Sequence, residues 1–169
     1  RKLLEREQAA AELALETGVY VVYRRVDRPH GGGDCARVGP GARCFCGHAF
    51  EAHKGGPSGP CNGKGCGCRR FRFVPSRPEE CGEWWLPRRK GFKVAQWRAK
   101  CRCKHGHDAH DPATARCTEC ACPAFASAFA CVACDGLWEC HATLWEGEGE
   151  RRAEGLPTNA DFLPLAGAP

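Results

Sequence analysis

The chain has 169 residues and a formal net charge of +5, too mild a balance to single out an anionic partner. Its hydrophobic fraction of 43% rests heavily on Ala and Cys: Leu, Val and Phe number 10, 8 and 8, and Ile and Met are absent. Those three types make up about 15% of the chain, under the roughly 20% that an ordinary apolar core needs, and 21 Gly and 12 Pro push the same way, so apolar burial alone is excluded as the source of the fold.

Residues 1–17 are rich in Ala and Leu and flanked by charges, and Gly18 suits a C-cap, which predicts a helix. Leu4, Ala11 and Leu15 share one stripe of it, a face for a partner or for the chain's own domain. Val19-Tyr20-Val21-Val22-Tyr23 predicts a strand, and the glycines between His30 and Gly41 predict a linker within segment 18–43.

An internal repeat follows. The first copy, 44–71, reads CFCGHAFEAH and then CNGKGCGCRRF; the second, 101–125, reads CRCKHGHDAH and then CTECACPAF. Cys44, Cys46, His48 and His53 match Cys101, Cys103, His105 and His110 at identical offsets. Cys61, Cys66, Cys68 and Phe71 then match Cys117, Cys120, Cys122 and Phe125, with loops that differ by one or two residues. Residues between the ligand types change freely: Gly47 becomes Lys104 and Gly67 becomes Ala121. What repeats is a ligand set. A third cluster adds Cys131, Cys134 and His141, and the segment 146–169 reads as an extended tail without its own core.

Two chemistries compete for the 15 cysteines. A disulfide framework usually has an even count, and the C-x-C pairs here are too close in sequence for comfortable bridging geometry. Histidines at fixed offsets from cysteines have no role in disulfides, whereas thiolate and imidazole are the ligands of structural zinc. Zinc is therefore the expected cofactor, and a reducing intracellular compartment the expected setting. Each structural zinc contributes on the order of 10–16 kcal/mol to folding, against about 5–15 kcal/mol of net stability for a whole domain, which offsets the thin core.

The grouping of the ligands stays open. Extended residues i and i+2 lie nearly 7 Å apart, while two sulfurs on one zinc sit roughly 3.7 Å apart, so each C-x-C turns sharply or serves two ions. The paired histidines, five residues apart, do not share a helical face. Each copy offers seven ligands: one closed site leaves three idle, and two closed sites require a shared thiolate or a ligand from elsewhere. The third cluster lacks a fourth ligand; Cys81, Cys140 or a repeat cysteine are the candidates. An open catalytic zinc there, with Glu79, Glu80 and Glu83 near Cys81, is the sharper alternative, but no H-E-x-x-H or deaminase-like His-Glu pairing accompanies it. His30, His107 and Cys35 have no counterpart in the repeat and read as surface or packing residues, so Cys35→Ser is expected to be nearly silent.

Between the copies, Phe73, Trp84, Trp85, Phe92 and Trp97 are the best apolar material and are expected to pack the modules together. Arg88, Arg89, Lys90, Lys93, Arg98, Lys100, Arg102 and Lys104 form a basic run beside them. A solvated face is the plainest reading of that run, an acidic protein surface the next, and nucleic acid the last.

The pieces C-x-C-G-H, RPEE with GE and WL after it, WRAKCRCKHGHDAH and ACVACDGLWECH resemble the protein family with sequence similarity 221, in its B branch, from about Cys44 to Trp145. Cys35, Cys81 and Cys140 depart from that family's regular cysteine positions, which argues against them as ligands. The resemblance supplies no catalytic residue, and through the family's ciliated and flagellated lineages it points to the axoneme, with tubulin or axonemal proteins as partners.

The expected fold is a small, metal-stapled, irregular α+β structure: a duplicated zinc module within 44–145, an N-terminal helical arm and an extended C-terminal tail. The expected function is a scaffold or docking component of a larger assembly and not an enzyme. Nucleic-acid binding through 88–104 is the runner-up, and a zinc enzyme or ubiquitin-ligase-like module the third reading, although the ligand order does not match interleaved RING spacing. No uninterrupted apolar stretch approaches the roughly 20 residues that span a bilayer, so no membrane contact is expected. The chain does not begin with Met, so the true N-terminus is expected upstream, where a signal peptide is compatible with the sequence.

Overall fold

The computed structural model describes residues 2–28, 33–53 and 59–163; His30 lies outside them. Helix α1 spans Lys2–Thr17 and strand β1 Val19–Arg25. Gly18, at φ +74°, donates its N–H to the Ala14 carbonyl, a left-handed turn that ends the helix and starts the strand at once. The buried face of α1 is Ala10, Ala11 and Ala14, while Leu4 and Leu15 stay exposed. Of the expected stripe, only Ala11 is therefore inside. The physical reason is close approach: a Cβ on Gly39 would lie 3.1–3.3 Å from Ala10, leaving no room for larger side chains on that face.

The segment expected to be a linker carries a second strand, β2 (Ala36–Arg37), and the buried Val38. Strands β3 (Arg43–Cys44) and β4 (Phe73–Val74) pair antiparallel and enclose the first cysteine–histidine segment. Near the other end, β5 (His141–Gly147) pairs antiparallel with β1 along its whole length, from Val19 opposite Gly147 to Arg25 opposite His141. The sheet order is β2-β1-β5, so the two ends of the chain form one sheet.

The tail is not coreless. Helix α2 (Glu148–Ala153) follows β5 directly, and Phe162 is 1% exposed against Ala11, Ala14, Tyr20 and Val22. An edge-to-face contact with Tyr20, 4.9 Å between centroids, seats it. The expectation of an extended tail is corrected as far as residue 163. It failed because Phe162 is a single anchor with no periodicity around it.

The main core also differs from expectation. Trp84 and Trp85 are each 58% exposed, and Phe92 and Trp97 are only half-buried. Pro78, Pro87 and Gly91 break their segment into single turns of 3-10 helix at Pro78–Cys81, Leu86–Arg88 and Val94–Gln96, which present no continuous face to bury. The core is built from aromatics beside the ligand residues: Phe45, Phe71, Phe73, Phe125 and Trp138. Phe45 and Trp138 stack at 5.3 Å, and Phe125 meets both edge-on at 5.2 Å. The whole is a small α+β fold with few helices, and its cysteine–histidine loops wrap this aromatic centre.

Candidate metal centre

All 15 cysteines are free thiols, and their side chains converge. Among the described residues, five groups of four ligand-type residues bring their donor atoms within 4.8 Å of one another. In the first segment these are Cys44, Cys46, His53 and Cys68, and Cys46, His48, Cys61 and Cys66. In the second they are Cys101, Cys103, His110 and Cys122, and Cys103, His105, Cys117 and Cys120. Cys46 and Cys103 each belong to two groups, which accounts for seven ligands making two closed sets.

The donor-atom spacings fit a metal tetrahedron. Cys44 Sγ and Cys68 Sγ lie 3.7 Å apart, and Cys101 Sγ and Cys122 Sγ 3.8 Å, the separation that zinc–sulfur bonds of about 2.3 Å impose on neighbouring thiolates. Cys46 Sγ is 3.6 Å from His48 Nδ1 and 3.8 Å from His53 Nε2; Cys103 Sγ is 3.6 Å from His105 Nδ1 and 3.7 Å from His110 Nε2. One histidine of each pair thus presents Nδ1 and the other Nε2, to different groups. His110 is oriented by its Nδ1–H, which donates to the Gly106 carbonyl at 2.8 Å, and His53 by the Gly59 carbonyl at 3.2 Å.

Each C-x-C turns sharply. The N–H of Gly47 donates to the Cys44 carbonyl, and that of Lys104 to the Cys101 carbonyl. Both residues have positive φ, +95° and +74°, so the freedom of this position in the sequence hides a fixed backbone. The third cysteine groups close alike despite unequal loops, with Cys61 N–H on the Cys68 carbonyl and Cys117 N–H on the Cys122 carbonyl. Gly63 lies under the His48 ring, where a Cβ would come within 2.6 Å. Backbone amides point at the sulfurs: Arg72 N–H at Cys44 (3.4 Å) and Ala126 N–H at Cys101 (3.3 Å). Such donors favour thiolate over thiol.

The fifth group is Cys35, Cys131, Cys134 and His141. Cys35, read from the sequence as a surface or packing residue, packs against the core and also brings its sulfur to the third cluster, a place for which Cys81, Cys140 or a repeat cysteine were the candidates. Cys35 stands 96 positions before Cys131 in the chain, and the pairing of β1 with β5 helps bring the two segments together. Burial, with the nearby Cys131 sulfur adding to it, pushes the Cys35 thiol up to about 12. Burial lowers the His141 imidazole below its usual range, which favours the neutral form that ligates metal. Among the described residues Cys81 and Cys140 join no group of four. Glu80, beside Cys81, caps a turn by accepting the Ser76 and Arg77 N–H groups, so it is not aimed at this cluster.

His107 is a packing residue, as expected. It is fully buried, and its Nδ1–H donates to the Phe45 carbonyl at 2.8 Å, tying the second cysteine–histidine segment to the first. Burial holds its imidazole down to about 4, so it stays neutral. Phe50 occupies the corresponding position of the first segment and packs on Phe71.

The FAM221 family model, described as Protein FAM221A/B, matches residues 5–168. The chain belongs to the FAM221 family. It is 43% identical to human Protein FAM221B over 95% of the chain and 40% of that protein. To Xenopus tropicalis Protein FAM221A it is 32% identical over 96% of the chain and 51% of the relative, and to human FAM221A 30% identical over 96% of the chain and 50% of the relative. The B branch is thus the nearer of the two. The chain spans about half the length, or less, of these FAM221 relatives. No solved structure matches it.

Proposed function

We propose that this chain is a structural zinc protein in which one module is used twice, each copy holding two ions that share a thiolate. The observation that carries this reading is the double membership of Cys46 and Cys103, at the same offset in both copies and with the same histidine nitrogens around them. Seven ligands satisfy two tetrahedra through such a bridge, and among the described residues no ligand from elsewhere joins either group. Soft thiolates with imidazole in closed sets of four suit zinc. Five thiolates and two divalent ions leave a net charge of about −1 per copy, and the cations in and around the sequence between the copies offset it.

Sets of four protein ligands leave no position for water or substrate, which favours a structural over a catalytic role. No helix is long and apolar enough to cross a membrane among the described residues. The part of the molecule available for docking is the lobe between the copies. Trp84, Trp85 and Val94 are exposed there beside exposed Arg88, Arg89, Lys90 and Lys93; Arg98, by contrast, is taken up by Asp108 at 2.9 Å. Exposed tryptophans beside exposed cations that have no ion-pair partner among the described residues suit a scaffold component that docks on an acidic protein surface of a larger assembly. The ciliary axoneme is the assembly that the family's lineages suggest, with tubulin or axonemal proteins as partners. The same aromatic and basic lobe is what a nucleic-acid reading would use, through stacking and phosphate contacts.

Elemental analysis of protein purified without added metal is expected to return at least four zinc ions per chain. Less than one would overturn the zinc reading. For the docking role, the protein is expected to stay on detergent-extracted, nuclease-treated axonemes. A sequence-selective, salt-sensitive complex in a gel shift, lost when Arg88, Arg89 and Lys90 are all changed to Ala, would replace docking by nucleic-acid binding.

A further inference from the structure

We infer that Cys35, Cys131, Cys134 and His141 form a fifth, mononuclear zinc site that ties the loop before β2 and the start of β5 to the turn at Cys131 and Cys134. The inference rests on zinc as the metal of the paired clusters but concerns a separate site that shares no ligand with them.

The two cysteines 131 and 134 sit on a preformed turn. Cys131 N–H donates to the Gly136 carbonyl, Asp135 N–H donates back to the Cys131 carbonyl, and Asp135 takes φ +60°. Gly136 N–H points at Cys134 Sγ at 3.4 Å. A C-x-x-C loop folded in this way turns two sulfurs to one side and offers a backbone donor to one of them. It is the arrangement of a structural zinc knuckle.

His141 is aimed from the other side. Its Nδ1–H donates to the Leu137 carbonyl at 2.7 Å, which fixes the tautomer and leaves Nε2 as a ligand, 3.1 Å from Cys134 Sγ. Tyr23 stacks flat on the ring, with centroids 4.3 Å apart and planes within 8°. A histidine held on both its edge and its face is positioned for a purpose beyond packing.

Cys35 arrives on a third, independent support. Its N–H donates to the Tyr23 carbonyl at 2.8 Å. The preceding residue, Asp34, is held by Arg24 at 3.1 Å and by Arg151 at 2.8 Å. The sulfur is therefore placed by β1 and α2, and the other three ligands by the knuckle and the start of β5. Three thiolates on a divalent ion carry a net charge of about −1. Arg25, itself paired with Asp27 at 2.6 Å, lies across the knuckle with Nη1–H on the Cys134 carbonyl at 3.4 Å.

An ion in this set would join the N-terminal loop, the knuckle and the terminal sheet at one point. Without it, the long separation between Cys35 and Cys131 is bridged by the sheet, the core and the ion pairs of Asp34.

Native mass spectrometry of the full chain, with cadmium NMR of the cadmium-exchanged protein, tests this. Wild type is expected to hold five ions, four giving cadmium resonances coupled in pairs through a shared sulfur and one giving an uncoupled resonance. Cys35→Ser is expected to hold four, with the uncoupled resonance gone and the coupled pairs intact. Cys81→Ser and Cys140→Ser are expected to keep five. Cys35→His, which preserves a ligand, is expected to keep five while shifting the uncoupled resonance alone, and it decides the matter should the Ser variant fail to fold. Four ions in wild type and in Cys35→Ser alike would overturn the fifth site and leave the paired clusters standing. Five ions in Cys35→Ser, or an uncoupled resonance unmoved in Cys35→His, would likewise overturn it. No bound metal in wild type would overturn the paired clusters as well.

Discussion

Arg151, fully buried, donates to Asp34 at 2.8 Å across 117 positions of sequence. Its other terminal nitrogen donates to Glu146 at 2.9 Å, while Arg24 bridges the same two carboxylates at 3.1 and 2.6 Å. The result is a closed square of two cations and two anions, with Arg151 Nε on the Pro157 carbonyl. It holds α2, β1, β5 and the loop before β2 together.

Arg151→Ala is expected to destabilise the protein by about 3–5 kcal/mol, because it leaves two largely buried carboxylates, Asp34 and Glu146, with Arg24 as their single remaining cation and so one negative charge uncompensated. Urea unfolding followed by circular dichroism measures it. The ions of the paired clusters, which the square does not touch, should stay bound in native mass spectra.

Cys46→Ser and Cys66→Ser should behave differently. Cys46 belongs to both groups of its segment and Cys66 to one. Loss of the shared thiolate is expected to release two ions, and loss of Cys66 only one, with Cys103 and Cys120 repeating the pattern. Metal counts per chain by mass spectrometry distinguish these outcomes.

The positive φ of Lys104 predicts that Lys104→Gly stabilises by up to about 1 kcal/mol, by removing the cost of a left-handed backbone with a Cβ. Gly47→Ala has the opposite sign, since its Cβ also meets Asp108 at 3.2 Å. Paired thermal melts of metal-loaded protein would show both.

Chelation at neutral pH is expected to unfold the cluster region cooperatively, since metal binding and folding are one event there. Acid should act in the same direction. Protons compete with the ion for thiolate and imidazole, so stability present at neutral pH is lost as pH falls. Simultaneous loss of metal and of near-ultraviolet dichroism in a pH titration checks this.

Trp84→Ala combined with Trp85→Ala is expected to change stability by less than about 1 kcal/mol, because both rings are largely in solvent. The same double variant is expected to weaken retention on axonemes. A large fall in melting temperature would instead return these residues to a packing role.

The sequence alone was sufficient for the repeated cysteine–histidine pattern, helix α1 and strand β1. Ligands within one copy lie within some 25 residues of each other, and their spacing survives loop changes such as that between Cys61 and Cys66 and between Cys117 and Cys120. Periodicity and a glycine cap are likewise local signals, and Gly18 ends α1 where it was expected. Tertiary structure decided which of these side chains converge in one group, that Cys35 joins Cys131, and that Trp84 and Trp85 face solvent. Each of these depends on contacts between distant segments: the β1–β5 pairing delivers Cys35 to the knuckle, and the aromatic centre around Phe45 fills from residues beside the ligands before the lobe between the copies can enter it. Spacing along the chain carries no record of such competition, because it is settled by which surfaces meet once the metal-binding loops have closed.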